Sequence, residues 1–512
     1  MKYFFKFLIL FLVNFNFLFL MSANTESREF SNSSIKPNLD NELNEGNFLI
    51  GLKQYIGDRN KSKLNSKKLL FEGGENFLIL NSENGISHKS KKIEIVWEKI
   101  PIKKPIIIDR WVLGPFASFE SAKKESDSLN LLGLKPNIVY PDNWELWLPS
   151  NVLLAKKYKF KSTKFVYQYI NTPFLKSEYI SQKLGGVISI SSDKDVKINN
   201  VTYGKNFYLV KDSYGTWTLI QKLPFDKYLE GVLPHEIGSN SPLEALKSQA
   251  IIARTWAFYN SDRFKNDKYH LCVTTQCQVY KPSLNSNKHI KQAIKQTNGL
   301  IITFENKPIN AFYHASNGGI LATSSESWKM NDYSYFQPKF DLVSKKDNFM
   351  VSPFTNELQI KNFLNNKNVD FLGDNHYLFR WEKRISSDKI NNLLMQNNLA
   401  KNKKQISNIR VLERGISGRV TKLEIIRNNS SNSIVLIKDD IRRYLRFLPS
   451  NLFIIDKLND NFWIFKGGGF GHGVGLSQSG AIEMAKLGFN YEDILNHYYS
   501  KTAITNIKDL AK

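Results

Sequence analysis

The residues of this chain best suited to chemistry fall in a few short stretches. Glu236 follows Pro234-His235 in a loop just before a helix-forming segment. A carboxylate on a loop that a rigid helix holds can be placed accurately. Beside apolar Leu233 and Ile237, partial burial would raise its pKa and keep it protonated as a general acid. His270, Cys272 and Cys277 lie within eight residues of one another. Imidazole and thiolate are zinc ligands, and a fourth position open to water or a side chain would complete such a site. In an oxidising compartment the same two cysteines would form a disulfide. The spacing differs from the common zinc-finger forms, so zinc, a disulfide and free thiols stay open here. Tyr313, His314 and Ser316 precede a Gly318-Gly319 turn, and His472 sits among glycines 467, 468, 469, 471, 473 and 475.

The elements that would position these groups are partly legible. Ser241-Pro242-Leu243-Glu244 reads as a helix start, with Ser241 as cap, Pro242 in the first turn and Glu244 completing a capping box. Leu243, Leu246, Ala250, Ala253 and Ala257 recur at helical spacing and mark one buried face, with Gln249 and Arg254 off it or at its edge. Residues 187–223 alternate apolar and polar types, which predicts short antiparallel strands. Between 340 and 460 the pattern is α+β, with a helix near 385–398 and strands near 420–427 and 433–437; no function is legible there. The glycine run lacks the Gly-Lys-Ser/Thr ending of a phosphate-binding loop. It reads as backbone that passes close to other chain or to a ligand, with positive φ allowed, and a short helix over 478–487 ended by Gly488 should follow. Upstream, 111–116, 118–131, 136–140 and 144–148 read as strand, helix, strand and strand. Residues 24–104 are polar and broken, a linker or poorly defined region with strand-like runs at 77–80 and 93–97.

Several runs stand in a telling order: Tyr228-Leu229-Glu230-Gly231-Val232-Leu233-Pro234-His235-Glu236, then Glu244-Ala245-Leu246-Lys247-Ser248-Gln249-Ala250 and Ala253-Arg254-Thr255. Thr274-Thr275-Gln276-Cys277-Gln278-Val279-Tyr280 and Ala311-Phe312-Tyr313-His314-Ala315-Ser316-Asn317-Gly318-Gly319 come next, and Gly467-Gly468-Gly469-Phe470-Gly471-His472-Gly473-Val474-Gly475-Leu476-Ser477-Gln478-Ser479-Gly480-Ala481 closes the series. Together they resemble the stage II sporulation protein D family (SpoIID/LytB) across residues 185–505. The resemblance implies an α+β catalytic domain behind a β-rich N-terminal segment. It further implies a lytic transglycosylase that cleaves the MurNAc–GlcNAc bond of peptidoglycan strands stripped of stem peptides and leaves 1,6-anhydro-MurNAc ends. Ordinary glycosidases need two carboxyl groups. Here the sugar's own 6-hydroxyl would be the nucleophile, so one carboxyl, at Glu236, could serve as acid and then base. The family's Glu stands in a Glu-Met-Pro context, whereas this chain has Glu236-Ile237-Gly238. Tyr280, Tyr313, His314, Ser316 and His472 become substrate-contact candidates, and some members bind zinc through a His and two Cys, which would make His270, Cys272 and Cys277 the ligands. The LytB-type branch carries the alternative of a non-catalytic modifier that binds peptidoglycan and stimulates an amidase. The unit at 105–150 resembles a sporulation-related repeat (SPOR) domain, a small α/β binder of such strands.

Composition sets the outer limits. The 512 residues include 42% hydrophobic and 13% aromatic types, enough for real cores. Lys plus Arg number 71 against 47 Asp plus Glu, a net +24. The lysines are scattered, and no nucleic-acid module is visible. Residues 1–23 combine Lys2 and Lys6 with an apolar run over 7–21 and then small polar residues, the plan of a secretory signal. Met21 at −3 fits cleavage poorly, which leaves an uncleaved membrane anchor as the alternative. The expectation is an exported protein of the periplasm or cell envelope.

Overall fold

The computed structural model describes residues 37–57, 67–282, 287–342, 354, 356–366, 370–428 and 433–510. The 1–23 signal or anchor lies outside them, as do parts of the 24–104 and 340–460 regions. No helix among the described residues is long and apolar enough to cross a membrane. The architecture is α+β.

Of the two readings of 24–104, linker or poorly defined region, the described residues take neither: strands form near the runs at 77–80 and 93–97, and the first strand was not foreseen. Asn47–Ile56 lies between Trp217–Pro224, antiparallel, and Leu271–Cys272, parallel, inside a seven-stranded sheet. Its side chains alternate across the sheet, as a strand requires. Phe48 and Ile50 enter the core of the helical half, while Leu49 packs on the opposite face with Trp144, Val210 and Ile220. The sequence hides this strand because both of its faces are covered, so it lacks the polar–apolar alternation of a half-exposed strand.

A second sheet runs in the order Val201–Tyr203, Val196–Ile198, Lys68–Glu72, Lys92–Phe116, Trp144–Pro149, Asn137–Val139. The two sheets stack. Leu69, Phe71, Ile93 and Ile95 from this one meet Leu80, Ile190, Phe207, Leu209 and Trp217 from the first. The upstream unit shows the strand–helix–strand–strand order read from the sequence, with its helix at Phe119–Leu131. It is not a separate bead. Its first strand is the distal part of Lys92–Phe116, which pairs along its length with Lys161–Lys176.

The helix Leu243–Tyr259 is central, and here the structure differs from the sequence reading. It begins after Pro242 with no side-chain cap. Ser241 Oγ donates instead to the Ile237 carbonyl at 2.7 Å, and Glu244 Oε2 accepts from the Tyr491 N–H at 2.9 Å. Gln249 and Arg254 are fully enclosed rather than marginal. The reason is that helices Phe225–Leu233, Lys288–Gln296, Gln478–Lys486 and Tyr491–Tyr498 and strand Leu300–Phe304 surround this helix on every side. Arg254 is accommodated by donating to the Leu300 carbonyl at 2.9 Å.

The 340–460 region does not fold by itself either. Its strands Arg380–Ser386 and Phe453–Asn459 flank Phe462–Gly468 of the C-terminal block. The helix Gln478–Lys486 follows as read, with Gly488 at φ +90°. The glycine run is a close backbone crossing. A Cβ on Gly318 would lie 2.6 Å from the Gly468 carbonyl carbon, and one on Gly469 would lie 2.7 Å from the Ser316 oxygen; both glycines have positive φ.

Candidate active site

Glu236 sits on a single π-helical turn, Pro234–Gly238, that prolongs helix Phe225–Leu233. Such wide turns arise where a helix must re-aim a side chain. Buried Leu233 and Ile237 anchor the turn in the helical core, and Gly238, at φ +91°, lets the chain reverse. The carboxyl is partly buried. Its Oε1 accepts the Val279 N–H at 2.7 Å, and the Tyr313 phenol also bonds it. Burial raises the Glu236 pKa above the ordinary carboxylate value, and these two hydrogen bonds oppose the rise.

Tyr313 and His314 come from a two-residue strand that pairs in parallel with Leu476–Ser477 of the glycine-rich block. This pairing brings together residues far apart in sequence. Glu236, Tyr313, His314 and His472 all line one cleft of about 810 Å3. The ring centroids of His314 and His472 lie 5.2 Å apart. His314 Nδ1 lies 3.2 Å from the Val474 carbonyl, to which it donates, and its Nε2 is left without a partner among the described residues. His472 Nδ1 accepts the Val474 N–H at 3.1 Å, and its other nitrogen reaches the Tyr313 carbonyl. Burial holds both imidazoles neutral, His472 pushed down to about 3 and His314 well below its usual value.

Two substrate-contact candidates lie away from the cleft lining. Tyr280 lies in the helical core, stacked on Tyr228 with centroids 5.7 Å apart, and does not line the cleft. Ser316 is buried at the backbone crossing, where it bridges to Phe470. Both carry motif chemistry but serve packing.

Cys272 and Cys277 form a disulfide. His270 is engaged at both nitrogens, Nδ1 accepting the Leu49 N–H at 2.9 Å and Nε2 lying 3.1 Å from the Leu39 carbonyl. In this arrangement the three residues do not fit a zinc site, because no thiolate and no free imidazole nitrogen face one another. The disulfide instead pins the loop that delivers the Val279 N–H to Glu236.

Several lining residues were not found from sequence. Trp256 comes from the central helix, Trp328 from the segment after Ser324–Ser327, and Arg442, Arg443 and Arg446 from the short helix Asp439–Tyr444 and the residues just after it. The upstream unit closes another side with Ser118, Glu120, Tyr140 and Asn143. It is tied down there. Ser118 Oγ and Ser121 Oγ donate to Asp439 at 2.6 and 2.8 Å, Arg443 donates to the Phe116 carbonyl at 2.9 Å, and buried Arg263 pairs with Glu120. No local pattern marked these residues, because what makes them cleft-lining is the segment that lies across from each.

The arrangement is that of a carboxyl-centred cleft walled by aromatic rings and arginines, suited to acid–base chemistry. The stage II sporulation protein model matches residues 213–304, which contain Glu236, and a domain of unknown function (DUF8618) matches 322–475. The chain is 30% identical over 301 residues to an uncharacterized protein of Brachyspira hyodysenteriae, covering 58% of this chain and 71% of that one. It is 28% identical to the amidase enhancer of Bacillus subtilis, over 54% of this chain and 40% of the relative. It is 26% identical to stage II sporulation protein D of Bacillus amyloliquefaciens, over 56% and 75%. The chain belongs to the stage II sporulation protein D family.

Proposed function

We propose that this chain is an exported lytic transglycosylase acting on peptidoglycan strands that lack stem peptides. The observation that carries the reading is the convergence of Glu236, Tyr313, His314 and His472 on one cleft, with the Glu236 carboxyl shifted toward its protonated form. The other carboxylates lining the cleft are engaged: Glu120 by Arg263, Asp439 by two serine hydroxyls, and Asp142 within its own contacts. Burial raises Asp439 as well, to about 6, but Glu236 is the carboxyl that Tyr313 bonds, and in this reading it is the acid. It gives its proton to the glycosidic oxygen as the C1–O4 bond breaks. The 6-hydroxyl of the same MurNAc then attacks C1, and the Glu236 carboxylate takes the hydroxyl proton as the C1–O6 bond forms. Tyr313 holds the carboxyl in place and stabilises its charged state between the two steps. His314 Nε2, an acceptor without a partner, suits a sugar hydroxyl, and Trp256 and Trp328 offer apolar faces to sugar rings. The upstream α/β unit, resembling a SPOR domain, extends the strand-binding surface beyond the cleft.

The purified chain, incubated with peptidoglycan stripped of stem peptides, should yield 1,6-anhydro-MurNAc ends by mass spectrometry, and Glu236→Gln should yield none. The similarity to an amidase enhancer favours one rival, a non-catalytic modifier. If the parent bound strands but released no anhydro ends while accelerating an added amidase, the modifier would replace the enzyme.

A further inference from the structure

Arg442 presents a problem that the fold does not solve internally. Among the described residues, seven arginines have a buried nitrogen without a hydrogen-bond partner: Arg110, Arg254, Arg263, Arg419, Arg427, Arg442 and Arg443. Six of them are compensated elsewhere. Arg254, Arg263, Arg419, Arg427 and Arg443 make hydrogen bonds through their other nitrogens, and Arg110 lies over the Trp147 ring at 4.3 Å. Arg442 alone among them has no hydrogen bond, ion pair or ring contact with any described residue. The neighbours that feel its charge are Arg419 and His472, and neither is an anion.

The two acids on its own helix are committed elsewhere. Asp439 accepts from Ser118 and Ser121 through Oδ2, its Oδ1 having no hydrogen-bond partner among the described residues, and Asp440 pairs with Lys329 at 2.6 Å; neither forms an ion pair with Arg442. Burial pushes Arg442 down to about 10, so it still carries its charge at neutral pH. A guanidinium without a protein partner, its Nε buried and its ends at the cleft, is partly withdrawn from water, a cost that an anion arriving in the cleft would offset. Arg442 lines the cleft that holds Glu236, and exposed Arg446 lines it too.

We infer that Arg442, assisted by Arg446, is a carboxylate-binding subsite that takes the free lactyl carboxylate of a MurNAc residue in the strand. The inference rests on the glycan-cleaving reading above and adds to it a reason for substrate choice. A stem peptide is joined to that lactyl group through an amide, which is neutral and blocks the carbonyl carbon. Only after the amide is hydrolysed does a carboxylate exist for a guanidinium to grip with two parallel hydrogen bonds.

The test measures binding of a peptide-free MurNAc–GlcNAc tetrasaccharide by calorimetry, with the full chain carrying Glu236→Gln so that no cleavage intervenes. The comparison ligand is the same tetrasaccharide with its lactyl carboxylates converted to methylamides. The carboxylate form should bind at least about tenfold more tightly. Adding Arg442→Gln should lower its affinity to that of the amide and leave the amide's affinity unchanged. Arg442→Lys should restore part of the preference, and Arg446→Gln should reduce it less. If Arg442→Gln does not fold, the carboxylate–amide comparison and Arg446→Gln still decide. Equal binding of both ligands would overturn the subsite and leave the glycan reading standing. Failure of both to bind would overturn the two together.

Discussion

The Val279 N–H meets the Glu236 carboxyl at 2.7 Å, two residues beyond a loop closed by the Cys272–Cys277 disulfide. Glu236 itself rides on a turn fixed by the helical core. The carboxyl is thus held from two directions by segments that share no local sequence.

Burial raises the folded pKa of Glu236 above its ordinary 4.5. A carboxyl with a raised folded pKa contributes stability that is present below the unfolded value and lost as pH climbs through the folded one. Glu236→Gln should therefore gain stability relative to the parent between pH 4.5 and neutrality. Paired thermal melts at pH 4 and pH 7.5 check this; a difference that did not grow with pH would contradict the desolvated setting.

Tyr313→Phe removes a hydrogen bond that favours the charged carboxyl. The Glu236 pKa should rise further, and the alkaline limb of the activity profile, where the acid loses its proton, should move to higher pH. The rate should fall as well, because the carboxylate formed midway loses a donor. A pH profile of anhydro-end formation reads both effects.

Removing residues before 185 should not yield a folded catalytic domain. Strand Asn47–Ile56 lies within the sheet beneath the helical core, and Phe48, Leu49 and Ile50 are fully buried. A 37–512 chain should unfold cooperatively, whereas 185–512 should be insoluble or lack near-ultraviolet circular dichroism. A cooperative melt from 185–512 would show that the first strand is dispensable.

The purified chain should show no free thiols when denatured without reductant. Replacing both cysteines by serine should cost about 2 kcal/mol from the short closed loop, and should slow catalysis further through the loosened Val279 N–H. Urea titration and turnover separate the two losses. Two titratable thiols with one equivalent of bound zinc would restore the metal reading for His270, Cys272 and Cys277.

Gly469→Ala should destabilise by roughly 2–4 kcal/mol. The position combines φ +83° with a Cβ site 2.7 Å from the Ser316 oxygen, and neither backbone can withdraw without breaking the Ser316–Phe470 bridge. Chemical denaturation measures the loss, and Gly133→Ala, at φ +79° with open space around it, isolates the conformational share.

The sequence alone made the family, the candidate acid and many local elements legible. Glu236 stood in an ordered series of motifs, and the strands near 187–223 and 420–427 and the helices near 118–131 and 478–487 followed from local periodicity and turn residues. These features depend on neighbours a few positions apart, which a linear reading can see. The tertiary structure decided the rest. It made Asn47–Ile56, read only as part of a linker or poorly defined region, a buried strand, wrapped Leu243–Tyr259 in helices and a strand, and sent Tyr280 and Ser316 into packing. It also brought Arg442 into the cleft from a region where the sequence showed no function. Each of those outcomes depends on which segment lies across which, and burial, pairing and exposed charge are properties of that contact rather than of the residue.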